Sequence, residues 1–102
     1  MDVNGIAQVE VTQVADFLAR GIPLVDVREQ DEWDADHIPG AILRPLSQLH
    51  AWQAEFSGQE VLFSCRSGQR SQQVAQHLAS TVRGHNLAGG ILAYRAFFPE
   101  DA

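Results

Sequence analysis

At its centre the chain reads Val61-Leu62-Phe63-Ser64-Cys65-Arg66-Ser67-Gly68-Gln69-Arg70-Ser71. The first four residues form a short, nearly continuous apolar run, which is typical of a strand buried on both faces. Beyond the small and polar residues that follow, apolar side chains recur at helical spacing, at Val74, Ala75, Leu78, Ala79 and Val82. A strand that passes through a tight loop into a helix is the repeating unit of a parallel sheet, so this stretch predicts an α/β protein.

The same alternation of short strands and helical patterns extends in both directions from this stretch. We predict further strands over residues 8–11, 22–27, 41–43 and 86–87. We predict helical segments over residues 12–21, 46–56 and 91–98, and one short helical turn around Trp33 within the polar segment 28–37. Thr12 is expected to cap the first of these helices and Gly21 to end it. The predicted class is therefore α/β with a mainly parallel sheet and right-handed crossovers.

Length and composition indicate one ordinary globular domain over residues 1–102. Of the 102 residues, 45% are hydrophobic and 20% are charged, which argues against disorder. Thirteen acidic residues stand against seven arginines, there is no lysine, and the formal net charge is −6. Nonspecific nucleic-acid binding and docking on anionic membranes both depend on clustered cations, so we expect neither partner.

Hydropathy and the cysteine count indicate the compartment. No stretch contains the roughly twenty apolar residues of a membrane-spanning helix. Residues 1–13 contain neither the basic region nor the apolar region of a signal peptide. The single cysteine excludes an internal disulfide and a Cys-rich zinc module. We therefore expect a cytoplasmic protein, unless a leader has been removed from a longer precursor.

Cys65 is the candidate nucleophile because of its position and its neighbours. It falls at the end of a predicted strand, where open parallel sheets bind their ligands. The following loop leads into a helix N-terminus, and Gly68 allows successive backbone N–H groups to turn inward as an anion-binding nest. Arg66 and Arg70 add positive charge. Helix N-termini and nearby cations lower a cysteine pKa from about 8.5 to roughly 3.5–7.5, so the sequence predicts a thiolate.

The spacing of the arginines limits the chemistry. A cysteine phosphatase needs an arginine six positions after the cysteine, but position 71 is serine, and the arginines lie one and five positions after Cys65. The loop is one residue short for wrapping a phosphate. A tighter ring of amides suits a smaller group on sulfur, such as the outer sulfur of a persulfide.

Four segments together resemble the rhodanese-like sulfurtransferases in their single-domain form. The segments are Leu24-Val25-Asp26-Val27-Arg28 with Glu32-Trp33, His37-Ile38-Pro39-Gly40-Ala41, Cys65 to Ser71, and Leu87-Ala88-Gly89-Gly90-Ile91. Each is weak alone, but their order and spacing cover residues 9–98 and form a specific signal. The aromatic residue after the glycine pair is commonly Trp in this family, whereas this chain has Tyr94.

The resemblance implies a three-layer α/β sandwich around a five-stranded, mainly parallel sheet, with its core at about residues 9–98. It implies transfer of a sulfane sulfur through a persulfide on Cys65, with no metal or organic cofactor. Substrate binding would fall to the loop residues Arg66, Ser67, Gly68, Gln69, Arg70 and Ser71. Arg66 or Arg70 would orient an anionic donor such as thiosulfate, because a planar guanidinium can donate two hydrogen bonds to it at once.

A polar group follows the strand at residues 22–27. For Asp26, Arg28, Glu32 and His37 we favour an ion-pair and hydrogen-bond network over an acid–base set. Asp26, with Arg28, remains a candidate second layer around Cys65, because Asp26 ends a neighbouring strand.

The sequence is compatible with more than one function. We expect a sulfurtransferase that takes sulfur from thiosulfate or another persulfide donor and passes it to a thiol or cyanide. Thioredoxin or a sulfur-carrier protein could serve as the acceptor. The alternatives are a non-catalytic binding or regulatory module with the same fold and, against the loop length, a cysteine phosphatase or arsenate reductase.

Overall fold

The computed structural model describes residues 1–100 of the chain. Its strands are β1 (Asp2–Val3), β2 (Ile6–Val9), β3 (Leu24–Asp26), β4 (Ile42–Leu43), β5 (Glu60–Ser64) and β6 (Arg83–Leu87). Its helices are α1 (Val14–Ala19), α2 (Gln30–Ala35), α3 (Leu49–Trp52), α4 (Gln69–His77) and α5 (Gly90–Phe97). Within this range, 3₁₀ turns lie at Val11–Gln13, Leu46–Gln48 and Gln53–Phe56.

The strands form one sheet in the order β1-β2-β6-β5-β3-β4. Neighbours from β2 to β4 pair in parallel, and β1 pairs with β2 in the antiparallel sense. The predicted α/β class with a mainly parallel sheet is confirmed. The expected count of five strands is wrong, because the described residues contain six. Asn4 and Gly5, at φ 50° and 80°, form the tight hairpin turn that returns β1 onto β2.

Helices cover both faces of the sheet, which gives the expected three-layer sandwich. Along β5, Val61 and Phe63 point to one face and Leu62 to the other. The first face packs against Trp52 of α3, Val74 and Ala75 of α4, and Leu78, which follows α4 directly. The second face packs against α1 and α5 through Val14, Phe17, Ile91 and Tyr94. Because both faces are covered, β5 is buried from Val61 to Ser64, as its apolar run predicts.

Several predicted boundaries are wrong in detail. The strand expected over residues 8–11 is Ile6–Val9, since the chain already turns at Val11. Thr12 does not cap the first helix. Glu10 caps the 3₁₀ turn that precedes the helix, and its backbone N–H donates to the Gln13 side chain at 2.9 Å. The helix expected over residues 46–56 is a four-residue helix between two 3₁₀ turns.

Candidate active site

The cysteine loop (residues 65–71) leaves the carboxyl end of β5 in the middle of the sheet. Cys65 follows the strand directly, and α4 begins at Gln69. Gly68 lies between them with φ +97°, a left-handed conformation that a side chain would strain. A Cβ at this position would also lie 3.3 Å from the backbone nitrogen of Gly89. Glycine therefore allows the chain to reverse here, which turns loop N–H groups towards the sulfur.

The sulfur of Cys65 accepts hydrogen bonds from its own loop. The backbone N–H groups of Gly68 and Ser71 donate to Sγ at 3.1 Å and 3.4 Å, and the Ser71 hydroxyl lies 3.3 Å from it. Burial raises the pKa of the Cys65 thiol, but hydrogen bonds from Ser71, Gly68 and Ser67 outweigh burial. The net effect holds the pKa of Cys65 below its ordinary value, which favours the thiolate.

The N-terminus of α5 holds the other side of the cysteine loop. The backbone N–H groups of Ile91 and Leu92 donate to the carbonyl oxygens of Cys65 and Arg66 at 2.9 Å and 3.1 Å. Gly90 makes this contact possible, because a Cβ there would lie 2.4 Å from each of the same two carbonyl oxygens. The sequence reasoning used Gly90 only as a motif residue and missed this role. The adjacent Gly-Gly pair was the available signal.

The two arginines of the cysteine loop differ in their partners. Arg70 makes a two-pronged ion pair with Glu32 of α2, with N–O distances of 2.8 Å and 2.9 Å. The hydrogen bonds from Arg70 lower the pKa of Glu32 to about 2. Arg66 is exposed, and it forms no ion pair with any residue in the described range 1–100. The carboxylates that share a cleft with Arg66, Glu32 and Asp36, are paired with Arg70 and Arg95 instead.

Asp26 and Arg28 form a buried ion pair beside the loop rather than contacting the sulfur. The Arg28 guanidinium donates to both carboxylate oxygens of Asp26, at 2.8 to 3.1 Å. It also donates to the carbonyl oxygens of Glu32 and Asp36 at 3.3 Å and 2.6 Å. His37 lies further out, with Nδ1 3.0 Å from the carbonyl oxygen of Trp33. The pair therefore anchors α2, and α2 in turn presents Glu32 to Arg70.

Access to the sulfur is narrow. Cys65 is only 1% exposed, whereas Arg66, Ser67 and Gln69 are exposed around it. A cleft of about 330 Å³ lies on one side of the cysteine loop, lined by Arg66 and by Ile91 and Leu92 of α5, among others. A larger cleft of about 540 Å³ lies on the other side, against Ser67 and Gln69. A reactant for this sulfur must be small or must present a slender reactive end.

Among residues 1–100, no three or more His, Cys, Asp and Glu side chains are grouped so that they could hold a metal ion. None of the helices in this range has both the length and the apolar character needed to cross a bilayer.

Comparison with known proteins shows which family shares this fold and this cysteine loop. Residues 10–97 match the family model described as a rhodanese-like domain. The chain belongs to the rhodanese-like family. Four motifs predict this family, namely the cysteine loop and residues 24–33, 37–41 and 87–91, and the prediction is confirmed.

One curated rhodanese-like relative is the thiosulfate sulfurtransferase GlpE of Coxiella burnetii. It is 32% identical over 83 residues, which are 78% of this chain and 78% of that protein. Among solved structures, the rhodanese-like domain protein from Staphylococcus aureus has a TM-score of 0.78 at 25% identity, covering 87% of this chain and 91% of that one. The reduced Bacillus anthracis CoADR-RHD has a TM-score of 0.81 at 26% identity. The match covers 92% of this chain and only 17% of that longer protein.

Proposed function

We propose that this rhodanese-like chain is a sulfurtransferase that carries a sulfane sulfur as a persulfide on Cys65. The observation that supports this most directly is the set of donors around Sγ, from Gly68 and Ser71, at the end of the central strand. This set favours a sulfur anion, which is the nucleophilic form of cysteine. The similarity to a thiosulfate sulfurtransferase points to the same chemistry.

In the first half-reaction the Cys65 thiolate attacks the outer sulfur of thiosulfate. A bond forms between Sγ and that sulfur, while the sulfur–sulfur bond of thiosulfate breaks. Its electron pair leaves with sulfite, so the total charge of −3 is the same before and after the step for a thiolate and a thiosulfate dianion. Another persulfide donor would react in the same way and release its own thiolate.

In the second half-reaction an acceptor attacks the outer sulfur of the persulfide. Cyanide leaves as thiocyanate, or a thiolate leaves as a new persulfide, and in either case the bond to Sγ breaks and Cys65 recovers its electron pair. The two half-reactions share one enzyme intermediate, so ping-pong kinetics are expected. A thiol on thioredoxin or on a sulfur-carrier protein is a suitable acceptor, since it presents a slender reactive end. We place the reaction in the cytoplasm, where thiol acceptors are kept reduced.

We assign the orientation of the anionic donor to Arg66 rather than Arg70. Both partners in the first half-reaction are negative, and the protein itself has a formal net charge of −6. A local cation must therefore lower the repulsion. The Arg70 guanidinium is occupied by Glu32, whereas Arg66 is exposed and lines the 330 Å³ cleft beside the loop. Ser67 and Gln69 are exposed around the approach, while Gly68 and Ser71 act on the sulfur.

The narrow access to Cys65 is also compatible with an alternative function, a non-catalytic rhodanese-like module that uses this loop for docking. A cysteine that is 1% exposed suits such a module as well as an enzyme for small donors. The two functions differ in one respect, which is whether the sulfur reacts.

Mass spectrometry of the intact protein after incubation with thiosulfate tests this directly. We expect a mass gain of one sulfur atom, its removal by cyanide with formation of thiocyanate, and no gain in Cys65→Ser. No mass gain in the folded wild-type protein, with either thiosulfate or a small persulfide, would reject the enzyme and favour the docking module. Hydrolysis of phosphate esters without sulfur loading would instead favour a phosphatase.

A further inference from the structure

The hydroxyl of Ser71 lies between two hydrogen-bond acceptors. Its oxygen is 3.3 Å from Sγ of Cys65 and 2.6 Å from Oδ1 of Asn86, on the neighbouring strand β6. Ser71 is fully buried and Asn86 is 3% exposed, so water does not compete freely for either group. A hydroxyl carries one proton and can donate it to one of these acceptors at a time. The sulfur and the amide oxygen therefore compete for the same proton.

The surroundings of Asn86 determine which way its amide faces. Its Nδ2 donates to the backbone carbonyl of Gly68 at 3.1 Å and to Oε1 of Gln8 at 2.9 Å. The Gly68 carbonyl can only accept, so the NH₂ group must point towards it. This leaves Oδ1 as the atom that faces Ser71. Asn86 thus holds the cysteine loop at two points, the carbonyl of Gly68 and the hydroxyl of Ser71.

We propose that Asn86 is a positioning residue for Cys65. Its Oδ1 accepts the hydrogen bond of the Ser71 hydroxyl when Sγ is uncharged, and the hydroxyl turns to donate to Sγ when Sγ is an anion. This inference rests on the proposed function, because it concerns the anionic sulfur which that function requires. Before ionisation the hydroxyl donates to the amide oxygen at the shorter distance. After ionisation the anion is the stronger acceptor and attracts the hydroxyl proton.

The same competition distinguishes the free enzyme from the sulfur-loaded one. In the persulfide, the negative charge lies mainly on the outer sulfur, and Sγ becomes a neutral bridging atom. The Ser71 hydroxyl then donates to Oδ1 of Asn86 again, and the loop N–H groups remain to hold the persulfide. When the acceptor removes the outer sulfur, Sγ becomes the leaving group and the hydroxyl stabilises its charge again. No proton is gained or lost in this cycle.

Charged groups reach the cysteine loop from the opposite side. They are Arg66 and Arg70 of the loop itself, Glu32 of α2, which pairs with Arg70, and the Asp26–Arg28 pair at the end of β3. On the side of β6 and β2 the next groups are the neutral amides of Gln8 and Gln72, joined at 2.7 Å. The contribution of Ser71 can therefore be altered at Asn86 without disturbing an ion pair.

A double-mutant cycle on the pKa of Cys65 tests the proposal. The chain has one cysteine, so the ultraviolet absorbance of its thiolate, corrected with Cys65→Ser, reports Cys65 alone and requires no sulfur donor. Ser71→Ala should raise the midpoint by roughly one pH unit, because the anion loses a charge-assisted hydrogen bond. The informative quantity is how this shift changes when Asn86 is also replaced.

We call the change in the pKa of Cys65 that Ser71→Ala causes the Ser71 shift. Two replacements of Asn86 should change the Ser71 shift in opposite directions. In Asn86→Leu the competing acceptor is gone, so Ser71→Ala should cause a larger shift than in the wild type. In Asn86→Asp a carboxylate holds the hydroxyl proton, so Ser71→Ala should cause less than about a third of the wild-type shift. Each Ser71 shift compares two proteins with the same residue at position 86. Any effect of losing the contact with the Gly68 carbonyl is therefore present in both proteins and cancels.

Gln8→Leu is the matched control, since it removes the next amide without touching Ser71. It should leave the Ser71 shift unchanged within about 0.3 pH unit. Equal Ser71 shifts in the wild-type, Asn86→Leu and Asn86→Asp proteins would overturn the proposal, as would changes in the same direction in both. If Asn86→Leu does not fold, the Asn86→Asp arm alone decides. The two proposals can fail separately. If the Ser71 shift changes in opposite directions in the two Asn86 variants but the protein accepts no sulfur, the proposed function is rejected and the role of Asn86 is supported.

Discussion

Two arginines of the same loop play different parts because of a single carboxylate. Glu32 occupies the guanidinium of Arg70 and leaves that of Arg66 unneutralised beside the cleft. Sequence alone could place both arginines near Cys65 but could not choose between them, since Glu32 lies 38 positions from Arg70 and meets it only in the fold. The pairing shows that charge in this loop depends on partners rather than on the number of cations.

Arg66→Gln is expected to weaken the reaction with thiosulfate while leaving the fold intact. The variant loses a charge-assisted contact worth about 1.5–3 kcal/mol, so kcat/KM for thiosulfate should fall roughly 10- to 100-fold. Steady-state kinetics of thiocyanate formation measure the change. The pH at which Cys65 ionises should move much less than the activity.

Arg83→Gln is the matched control for Arg66→Gln. Arg83 is also exposed, but it begins β6, at the end of the sheet opposite to the cysteine loop. This variant removes the same charge from the same net total and should leave kcat/KM unchanged within about twofold. Equal losses in the two variants would show that overall charge, and not Arg66, governs the approach of thiosulfate.

At the scale of elements, the cysteine loop is held between α4 and α5. Gly90 permits the N-terminus of α5 to reach the carbonyl oxygens of Cys65 and Arg66. Gly90→Ala would place a methyl group 2.4 Å from both oxygens, so the helix must move away and its two hydrogen bonds to the loop must lengthen or break. We expect a loss of roughly 2–4 kcal/mol in the free energy of unfolding and a large loss of sulfur transfer.

The control for Gly90→Ala is Gly21→Ala. Both glycines have a positive φ, 58° at Gly90 and 79° at Gly21, but a Cβ at Gly21 meets no atom within 4 Å. This variant incurs only the strain of the left-handed conformation, about 1–2 kcal/mol. Urea unfolding of both variants, together with sulfur loading, separates strain from the clash. Similar stability and similar loading in the two variants would contradict the role assigned to Gly90.

The elements that could be predicted from sequence are those whose local pattern and tertiary setting agree. The apolar run before Cys65 predicts β5 because β5 is covered on both faces. By contrast, β1 is only two residues long and is exposed, so it has no hydrophobic pattern, and its signal is the Asn4-Gly5 turn. The sequence predicts that Asn86 lies in a strand. Its contact with Ser71 could not be predicted, because it forms only where β6 meets α4 and produces no periodic pattern in the sequence.

At the scale of the whole molecule, the arginines are distributed mainly as partners of carboxylates. Of the seven, five form ion pairs within the described residues, namely Arg20, Arg28, Arg44, Arg70 and Arg95. Side-chain hydrogen bonds from arginine lower the pKa of Glu32, Asp36 and Glu55. Pairing with His85 lowers that of Glu60. A lowered carboxyl pKa in the folded state means that the fold is more stable when these groups are ionised.

Acid should therefore destabilise this protein, and Glu32 should account for a measurable part of the loss. Its pKa falls from 4.5 to about 2 on folding, so its stabilising effect is complete above pH 4.5 and is lost as the pH falls towards 2. Allowing for the partial exposure of the pair, the free energy of unfolding should drop between about pH 5 and pH 2 by roughly 1–3 kcal/mol more in the wild type than in Glu32→Gln.

Urea unfolding at a series of pH values measures this difference, and Asp31→Asn provides the control on the same helix. Asp31 is exposed, so its replacement removes a carboxylate from α2 without removing the partner of Arg70. We expect Asp31→Asn to follow the wild-type pH dependence, and Glu32→Gln to be less stable at neutral pH and to converge with it in acid. If the free energy of unfolding depends on pH in the same way in the wild type and in Glu32→Gln, the ion pair between Arg70 and Glu32 does not stabilise the fold. Glu32 would then serve only to neutralise Arg70.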